Sequence, residues 1–483
     1  VSRLVVVSNR LPSLPASRNA AFGRETTAGG LAAAILAALR SRPGSSWIGW
    51  NGRAPAVVRP AALTRTERGG VELVTLSLSH AEFESYYLGF CNQTLWPVLH
   101  CFQGRLRTRL RDEAAYEAAQ GRFADAVQAV VRAGDLLWVH DYHLFLLGQE
   151  LRRRGWRGRI GFFLHTPFPP LEMWEVLPHP RAMIEGLLAY DVVGFHVQGF
   201  LDNYVYCAQR LLGARSEGGM LYHSGRVQRA AVYPVGIDPK EWIRRAAAAD
   251  GGPEDRPLLR GRADRRLVLG VDRLDYTKGI LERFRAFERF LRARPDWRRR
   301  VVYVQIASPS RIQVPEYSEQ RRRIETLLGR VNGELSEPDW TPIRYLYRSY
   351  GQPELARFYR EADIGLVTPL RDGMNLVAKE YVAAQDPSDP GVLVLSRTAG
   401  ASQQLRDAVL VNPFVPADVA QGIATALEMP LDERRQRHAS LLRQVHESTA
   451  ATWAERFLDD LDPGTDIEPG ALRGERARAG LTV

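Results

Sequence analysis

Polar residues able to do chemistry stand directly after apolar runs rich in valine and isoleucine, the strand-end positions where ligands bind in open α/β sheets. After residues 267–271 comes Asp272-Arg273-Leu274-Asp275-Tyr276-Thr277-Lys278-Gly279, which sets Arg273 and Lys278 five residues apart in one loop. Two cations converging there could neutralise a diphosphate, the electrostatic task that phosphoryl chemistry needs most, although surface salt bridging would use the same residues. Lys278 is one of only three lysines among 65 basic residues, with Lys240 and Lys379. Where arginine has replaced lysine nearly everywhere, a remaining lysine offers what a planar guanidinium cannot, a compact rotating point charge.

After residues 364–367 comes Thr368-Pro369-Leu370-Arg371-Asp372-Gly373-Met374-Asn375-Leu376-Val377-Ala378-Lys379-Glu380-Tyr381. A helix opening near Gly373 or Met374 would aim free N–H groups at a phosphate, with Asp372 at its start. Glu380 lies eight positions beyond Asp372, just over two turns at about 3.6 residues each. The two carboxylates are therefore expected on roughly one side, which suits a ligand with hydroxyls at both ends. Lys379 is expected to face elsewhere and to be structural.

In the first half, Trp138-Val139-His140-Asp141-Tyr142-His143 and His165-Thr166-Pro167-Phe168-Pro169-Pro170 stand at two further strand ends. Asp141 is a candidate for holding ligand hydroxyls. His140 and His143 lack a clear third ligand, so hydrogen bonding is a better expectation than a metal for at least one of them. The first strand runs into Ser8-Asn9-Arg10, and Thr26-Thr27-Ala28-Gly29-Gly30 precedes a helix opening at Leu31. The paired glycines would let N–H groups approach an anion, or serve a plain turn. No GxGxxG is present, so a nicotinamide cofactor has no local support.

These loops need parallel strands and crossover helices to hold them, and the apolar pattern supplies both. Strands are expected at 4–8, 46–50, 71–76, 135–140, 160–165 and 192–195, with helices at 31–40 and 122–132 among the segments between. Residues 233–239, YPVGIDP, mark a hinge, and residues 248–266 read as surface loop. A second set of strands follows at 267–271, 301–306, 343–346, 364–367 and 392–395, then helices at 416–429 and 431–444. A helix at 452–461 is expected to pack back on the first unit, and the Gly-, Arg- and Glu-rich tail after Pro463 to be disordered. The fold class is α/β.

Length and composition fit this reading: 483 residues exceed one core, and 45% hydrophobic with 25% charged residues is globular usage. No apolar run approaches the ~20 residues of a membrane span. Val1-Ser2-Arg3 passes straight into a strand pattern and not a leader peptide, so a cytoplasmic enzyme is expected. Cys91, Cys101 and Cys207 form no CxxC and are expected as free thiols. The net charge of +10 is spread through arginine runs such as 152–154, 298–300 and 321–323, without a nucleic-acid-reading motif.

Taken in order, VVVSNRLP, AGGL, WIGWNG, ESYYLGFCNQTLWPVLH, WVHDYHL, GFFLHTPFP, YPVGID, DRLDYTKG and PLRDGMNLVAKEYVAAQ resemble the trehalose-6-phosphate synthase family, glycosyltransferase family 20, from Ser2 to about Leu461. The resemblance implies a GT-B fold, two Rossmann-like domains facing each other across a cleft: an acceptor-binding domain (1–235) and a nucleotide-sugar-binding domain (236–450). It implies a retaining transferase that needs neither metal nor cofactor, joining glucose from UDP- or GDP-glucose to glucose 6-phosphate. Arg10, Tyr87, Trp96, Asp141 and Arg311 would hold the acceptor, the arginines on its phosphate, with Trp50 shaping that wall. His165 and Asp372 would contact the donor glucose. Gly30, Arg273 and Lys278 would cradle the diphosphate, helped by Gly373, Met374, Asn375 and Leu376, while Glu380 grips the ribose. Tyr350 falls in the base-reading segment, residues 344–352. The catalytic set so implied is Arg273, Lys278, His165, Asp141 and Asp372. Thr166 stands where the family often has an aliphatic residue. The expected partners are the two substrates and a second copy of the chain, as dimer or tetramer, with no nucleic acid or membrane. A different acceptor, such as glycerol phosphate or a cyclitol phosphate, and a non-catalytic sugar-phosphate-binding relative are the competing readings.

Overall fold

A computed structural model describes residues 2–12, 30–40, 42–56, 63–68, 70–248, 258, 265–311 and 313–463. The first sheet contains β1 (Leu4–Arg10), β2 (Ser46–Trp50), β3 (Thr64–Arg68), β4 (Val71–Leu76), β5 (Leu136–His140), β6 (Ile160–Phe163), β7 (Val192–Phe195), β8 (Arg215–Glu217), β9 (Met220–His223) and β10 (Arg226–Val232). Their spatial order is β3-β4-β2-β1-β5-β6-β7-β10-β9-β8. Seven central strands run parallel, and antiparallel strands close both edges. The second sheet contains β11 (Arg266–Arg273), β12 (Val301–Ser308), β13 (Ile343–Leu346), β14 (Ile364–Val367), β15 (Val392–Ser396) and β16 (Val409–Val411), in the order β13-β12-β11-β14-β15-β16. That is the doubly wound 3-2-1-4-5-6 order, all parallel.

In both sheets the winding reverses between two adjacent strands, β1 beside β5 and β11 beside β14. Loops leaving those strands diverge and leave a crevice at the carboxyl edge. Arg10 and Arg273 end β1 and β11, and Asp141, Lys278 and Asp372 follow β5, β11 and β14.

Strands β2, β5, β6, β7, β14 and β15 are buried on both faces because each face is covered. Val5 and Val7 of β1 join one core with Ile48, Val74 and Val139, while Leu4 and Val6 point to the other side with Trp47 and Trp138. On that side the helix Ala450–Leu461 returns to the first sheet, stacking Phe457 on Trp138 at 4.8 Å and Trp453 beside it. Gly161 of β6 leaves the room for it, since a Cβ there would lie 2.6 Å from the Phe457 ring.

Several expectations need correction. The helix expected at 122–132 runs Leu110–Gln128, because apolar residues from Tyr116 to Val127 continue one buried face. The helix expected to open at Gly373 or Met374 begins at Leu376. Asn375 at φ 79° cannot continue a helix, and residues 372–374 are held extended by bonds from Asp372 N to Thr398 O and from Ala401 N to Met374 O. Strands β3, β8, β9, β10 and β16 and the π-helical run Phe83–Leu95 lie outside the expected elements. The Thr26 to Gly29 motif, most of 248–266 and the tail beyond 463 lie outside the described residues; Gly30 is the first residue of its helix. Cys91, Cys101 and Cys207 are free thiols.

Candidate functional site

On the first-domain wall, Asp141 leaves β5 at φ 74°, a left-handed conformation that turns its side chain away from the strand direction. Its N–H donates to Phe163 O at 2.8 Å, and its carboxylate accepts the His165 N–H at 3.2 Å. Burial pushes the carboxyl up to about 6. Beside it, Tyr87 from the π-helical run stacks on His143 at 5.9 Å and meets Trp50 at 5.8 Å. Arg10 lies 5.9 Å over the Trp50 ring, and its guanidinium sits over Gly52, where a Cβ would come 2.7 Å from it. Trp50 is itself fixed by its indole N–H on Arg53 O.

On the second-domain wall, the loop after β11 is shaped by Asp275, which accepts the Thr277 N–H and hydroxyl at 3.0 Å each. Gly279 at φ 69° then starts the next helix, and Arg283, buried against Asp272 at 2.6 Å, donates to Lys278 O at 2.6 Å. The loops after β11 and β14 are tied by Leu370 N on Thr277 O at 2.7 Å. This brings the Lys278 ammonium onto the Asp372 carboxylate, which also accepts Asn375 Nδ2 at 3.0 Å. Burial alone would raise Asp372, but the Lys278 charge and hydrogen bond hold it below the usual carboxylate range. Asp372 thus precedes its helix and faces Lys278, whereas Glu380 lies within the helix and accepts from Tyr359 OH at 3.1 Å. The two carboxylates expected on one helix face have separate partners.

The walls meet at several points, two of them at these residues. Gly373 lies against the backbone of His165, so that a Cβ would come 2.1 Å from His165 O. His165 shares a ring hydrogen bond with His140 at 3.0 Å, and burial keeps both rings well below the ordinary histidine value. His140 therefore pairs with His165 and not with His143. Further along, the Arg311 guanidinium of the second domain covers the Trp96 indole at 4.0 Å, with Arg273 at 5.8 Å from the same ring. Arg311 also donates to Tyr142 OH at 3.1 Å and pairs with Asp275 at 3.3 Å.

Arg10, Tyr87, Trp96 and Asp141 of the first-domain wall thus lie along one run of contacts that Arg311 meets from the second domain, beside Arg273 at the Trp96 ring. Glu380 is set deeper; burial pushes it up to about 7. Tyr350 lies after β13, packed edge-on against Phe358 at 5.0 Å and under Arg348 at 4.4 Å. Sequence reasoning assigned no role to Asp275, Arg283, Tyr142 or Asn92. Tyr142, Asp275 and Asn92 stood inside the quoted motifs; Arg283 lay outside them, and its buried pairing with Asp272 across 11 positions gave no local signal. Two surface grooves on the first domain, one at Leu171, Leu201 and Tyr206 and one at Glu117, Glu150 and Arg153, contain none of the cleft residues. Among the described residues no group of three or more His, Cys, Asp or Glu could hold a metal ion, and no helix is long and apolar enough to cross a membrane.

Two Rossmann-like domains, with cations and carboxylates at both switch points facing the crevice between them, form the GT-B architecture, shared with solved trehalose-6-phosphate synthases. Residues 2–463 match the model of glycosyltransferase family 20, and the chain belongs to that family. It is 42% identical to a trehalose-6-phosphate synthase of Sinorhizobium fredii, over 96% of this chain and 99% of that one. The UDP-forming α,α-trehalose-phosphate synthase of Burkholderia xenovorans, solved in complex with glucose-6-phosphate, is 40% identical and superposes with a TM-score of 0.88, covering 95% of this chain and all of that one. A trehalose-6-phosphate synthase studied with bisubstrate glycomimetics for glycosyl transfer with retention is 37% identical, with a TM-score of 0.87 over 96% and 99% of the two chains.

Proposed function

We propose that this chain transfers glucose from a nucleotide-glucose to glucose 6-phosphate with retention, releasing α,α-trehalose 6-phosphate and a nucleoside diphosphate. The supporting observation is the convergence across the cleft: Arg311 on Trp96 beside Asp141, and Lys278 on Asp372 beside His165. The acceptor phosphate lies between Arg10 and Arg311, with Tyr87 and Trp96 as apolar walls and Asp141 on the sugar hydroxyls. Residues 1–235 take the acceptor and 236–450 the donor. The donor diphosphate takes Arg273, Lys278 and the helix N-terminus at Leu376, where free N–H groups favour an anion. Asp372 and His165 hold the donor glucose, and Glu380 the ribose.

Retention by double displacement would require a carboxylate free to attack the anomeric carbon. Asp372 is engaged by Lys278 and Asn375, and Asp141 by the His165 N–H. Substitution on one face is therefore favoured. The bond from the anomeric carbon to the diphosphate oxygen breaks as Arg273 and Lys278 take up the developing charge. The acceptor hydroxyl oxygen then bonds to that carbon from the same side, passing its proton to the departing oxygen.

UDP-glucose is the first donor to test, because the Burkholderia xenovorans relative is UDP-forming. Purified protein is incubated with UDP-, GDP-, ADP- and TDP-glucose and, in separate reactions, glucose 6-phosphate, glycerol phosphate or a cyclitol phosphate, and the product is identified by mass and anomeric coupling. An α,α-linked disaccharide phosphate is expected. No product with any donor would refute the proposal, and product only with glycerol phosphate or a cyclitol phosphate would reassign the acceptor.

A further inference from the structure

Lys379 is fully buried, and the chemistry above makes no use of it. Its amine donates to Val235 O at 2.7 Å and approaches Ser448 Oγ at 3.5 Å. Those two acceptors belong to the two segments by which the chain passes between the domains, outward at 233–238 and back at 447–450. The crossings are also joined to each other. Ser448 Oγ donates to Pro234 O at 3.0 Å, Ala450 N donates to Ile237 O at 3.0 Å, and Ile237 pairs with Thr449 in a short parallel bridge. Gly236 has no room for a side chain, since a Cβ would fall 1.8 Å from Ser448 O. A rotation of one domain against the other must bend both segments at this shared point.

Lys379 lies on Leu376–Ala384, next to Glu380, in the helix that the Asp372 loop leads into. Burial pushes its ammonium down to about 7, and only a carbonyl and a hydroxyl receive it. An apolar side chain of similar length would fill the space without that desolvation. Lysine suits the place because one rotating head can serve two acceptors on separate segments, where a planar guanidinium needs more room.

We infer that Lys379 is a positioning residue that couples occupancy of the donor site to the angle between the domains. A donor held by residues 372–376 and Glu380 fixes this helix, and the helix fixes both crossings through the Lys379 amine. The inference rests on the reading of that helix as the donor site. A ligand shifts a conformational equilibrium only through such differential contacts.

The test is hydrogen–deuterium exchange of peptides covering 233–238 and 446–451, with and without saturating UDP-glucose, beside calorimetric titration of the same ligand. In the wild-type chain, UDP-glucose should slow exchange at the crossings by about fivefold or more, the lower range of coupling between sites. In Lys379→Met, UDP-glucose should still bind through its other contacts, while the crossings stop responding. Lys379→Gln, which keeps a donating amide group on a shorter arm, should restore part of the response. A wild-type chain that binds none of UDP-, GDP-, ADP- and TDP-glucose overturns the donor-site reading itself, and where another of these binds in place of UDP-glucose it serves as the ligand. Binding without any response at the crossings, or a Lys379→Met response equal to wild type, overturns the coupling alone; so does a folded Lys379→Met that no longer binds. If Lys379→Met does not fold, Ser448→Ala takes its place, and an undiminished response there has the same meaning.

Discussion

Tyr142→Phe separates the acceptor half of the site from the donor half. The Tyr142 ring is fully buried against Trp96 and His143, and phenylalanine keeps that packing. Only the hydroxyl is lost. It accepts from Arg311 at 3.1 Å and donates to Asn92 Oδ1 at 3.1 Å, while Asn92 Nδ2 donates to Tyr87 O at 2.6 Å. The hydroxyl therefore links the second-domain arginine to the backbone of the first-domain tyrosine, the two residues proposed to hold the acceptor. A hydrogen bond from a charged donor contributes about 1.5–3 kcal/mol, equivalent to roughly 10- to 150-fold in affinity. Arg311 retains Asp275, Tyr317 and the Trp96 face, so the lower end applies. The KM for glucose 6-phosphate should rise about tenfold, with the KM for the nucleotide-glucose unchanged. Initial rates of nucleoside diphosphate release, varying each substrate against saturation of the other, measure both. An acceptor KM within a factor of about two of wild type, or a rise in the donor KM instead, would refute the relay.

Lys278→Met should lower turnover by about 100-fold or more, as loss of a leaving-group stabiliser does, and should also destabilise the fold by leaving Asp372 buried without its partner. Adding Asp372→Asn should recover melting temperature without turnover, and recovery of both would remove Lys278 from the chemistry. Glu380 holds its proton in the fold up to about 7 against 4.5 for the free group. Between those values the native state binds the extra proton, so its contribution is complete below 4.5 and lost as pH rises through about 7. Glu380→Gln should accordingly raise the melting temperature at pH ~8, by up to ~3 kcal/mol in stability, leave it unchanged at pH ~4, and weaken nucleotide binding. A variant less stable at the higher pH contradicts this sign. Gly373→Ala should abolish turnover by forcing the loop off His165 O, while calorimetry still detects nucleotide on the second domain; wild-type turnover would show that the contact is not needed.

The sheets were legible because strands buried on both faces read as short continuous apolar runs. The ends of β2, β7 and β14 fall at the expected residues for that reason. The exposed edge strand β3, Thr-Arg-Thr-Glu-Arg, has no such run, since its pairing with β4 and not its own burial makes it a strand. The helix start misplaced at Gly373 shows the same limit. Periodicity marks the buried face from Ala378 onward, but the left-handed Asn375 and the bonds to residues 398–401 decide where the turn begins.

Sequence by itself determined which residues stand at the carboxyl ends of the strands: polar groups directly after apolar runs, Asp141 and His165 in one half, Arg273, Lys278 and Asp372 in the other. It also marked Lys379 as one of few lysines, without a partner to explain it. Tertiary structure alone decided the pairings: Lys278 with Asp372 across 94 positions, Arg311 with Tyr142 across 169, and Lys379 with Val235 across 144. Local patterns extend over a turn or a strand, whereas these contacts depend on sheet order and on how the two domains lie against each other.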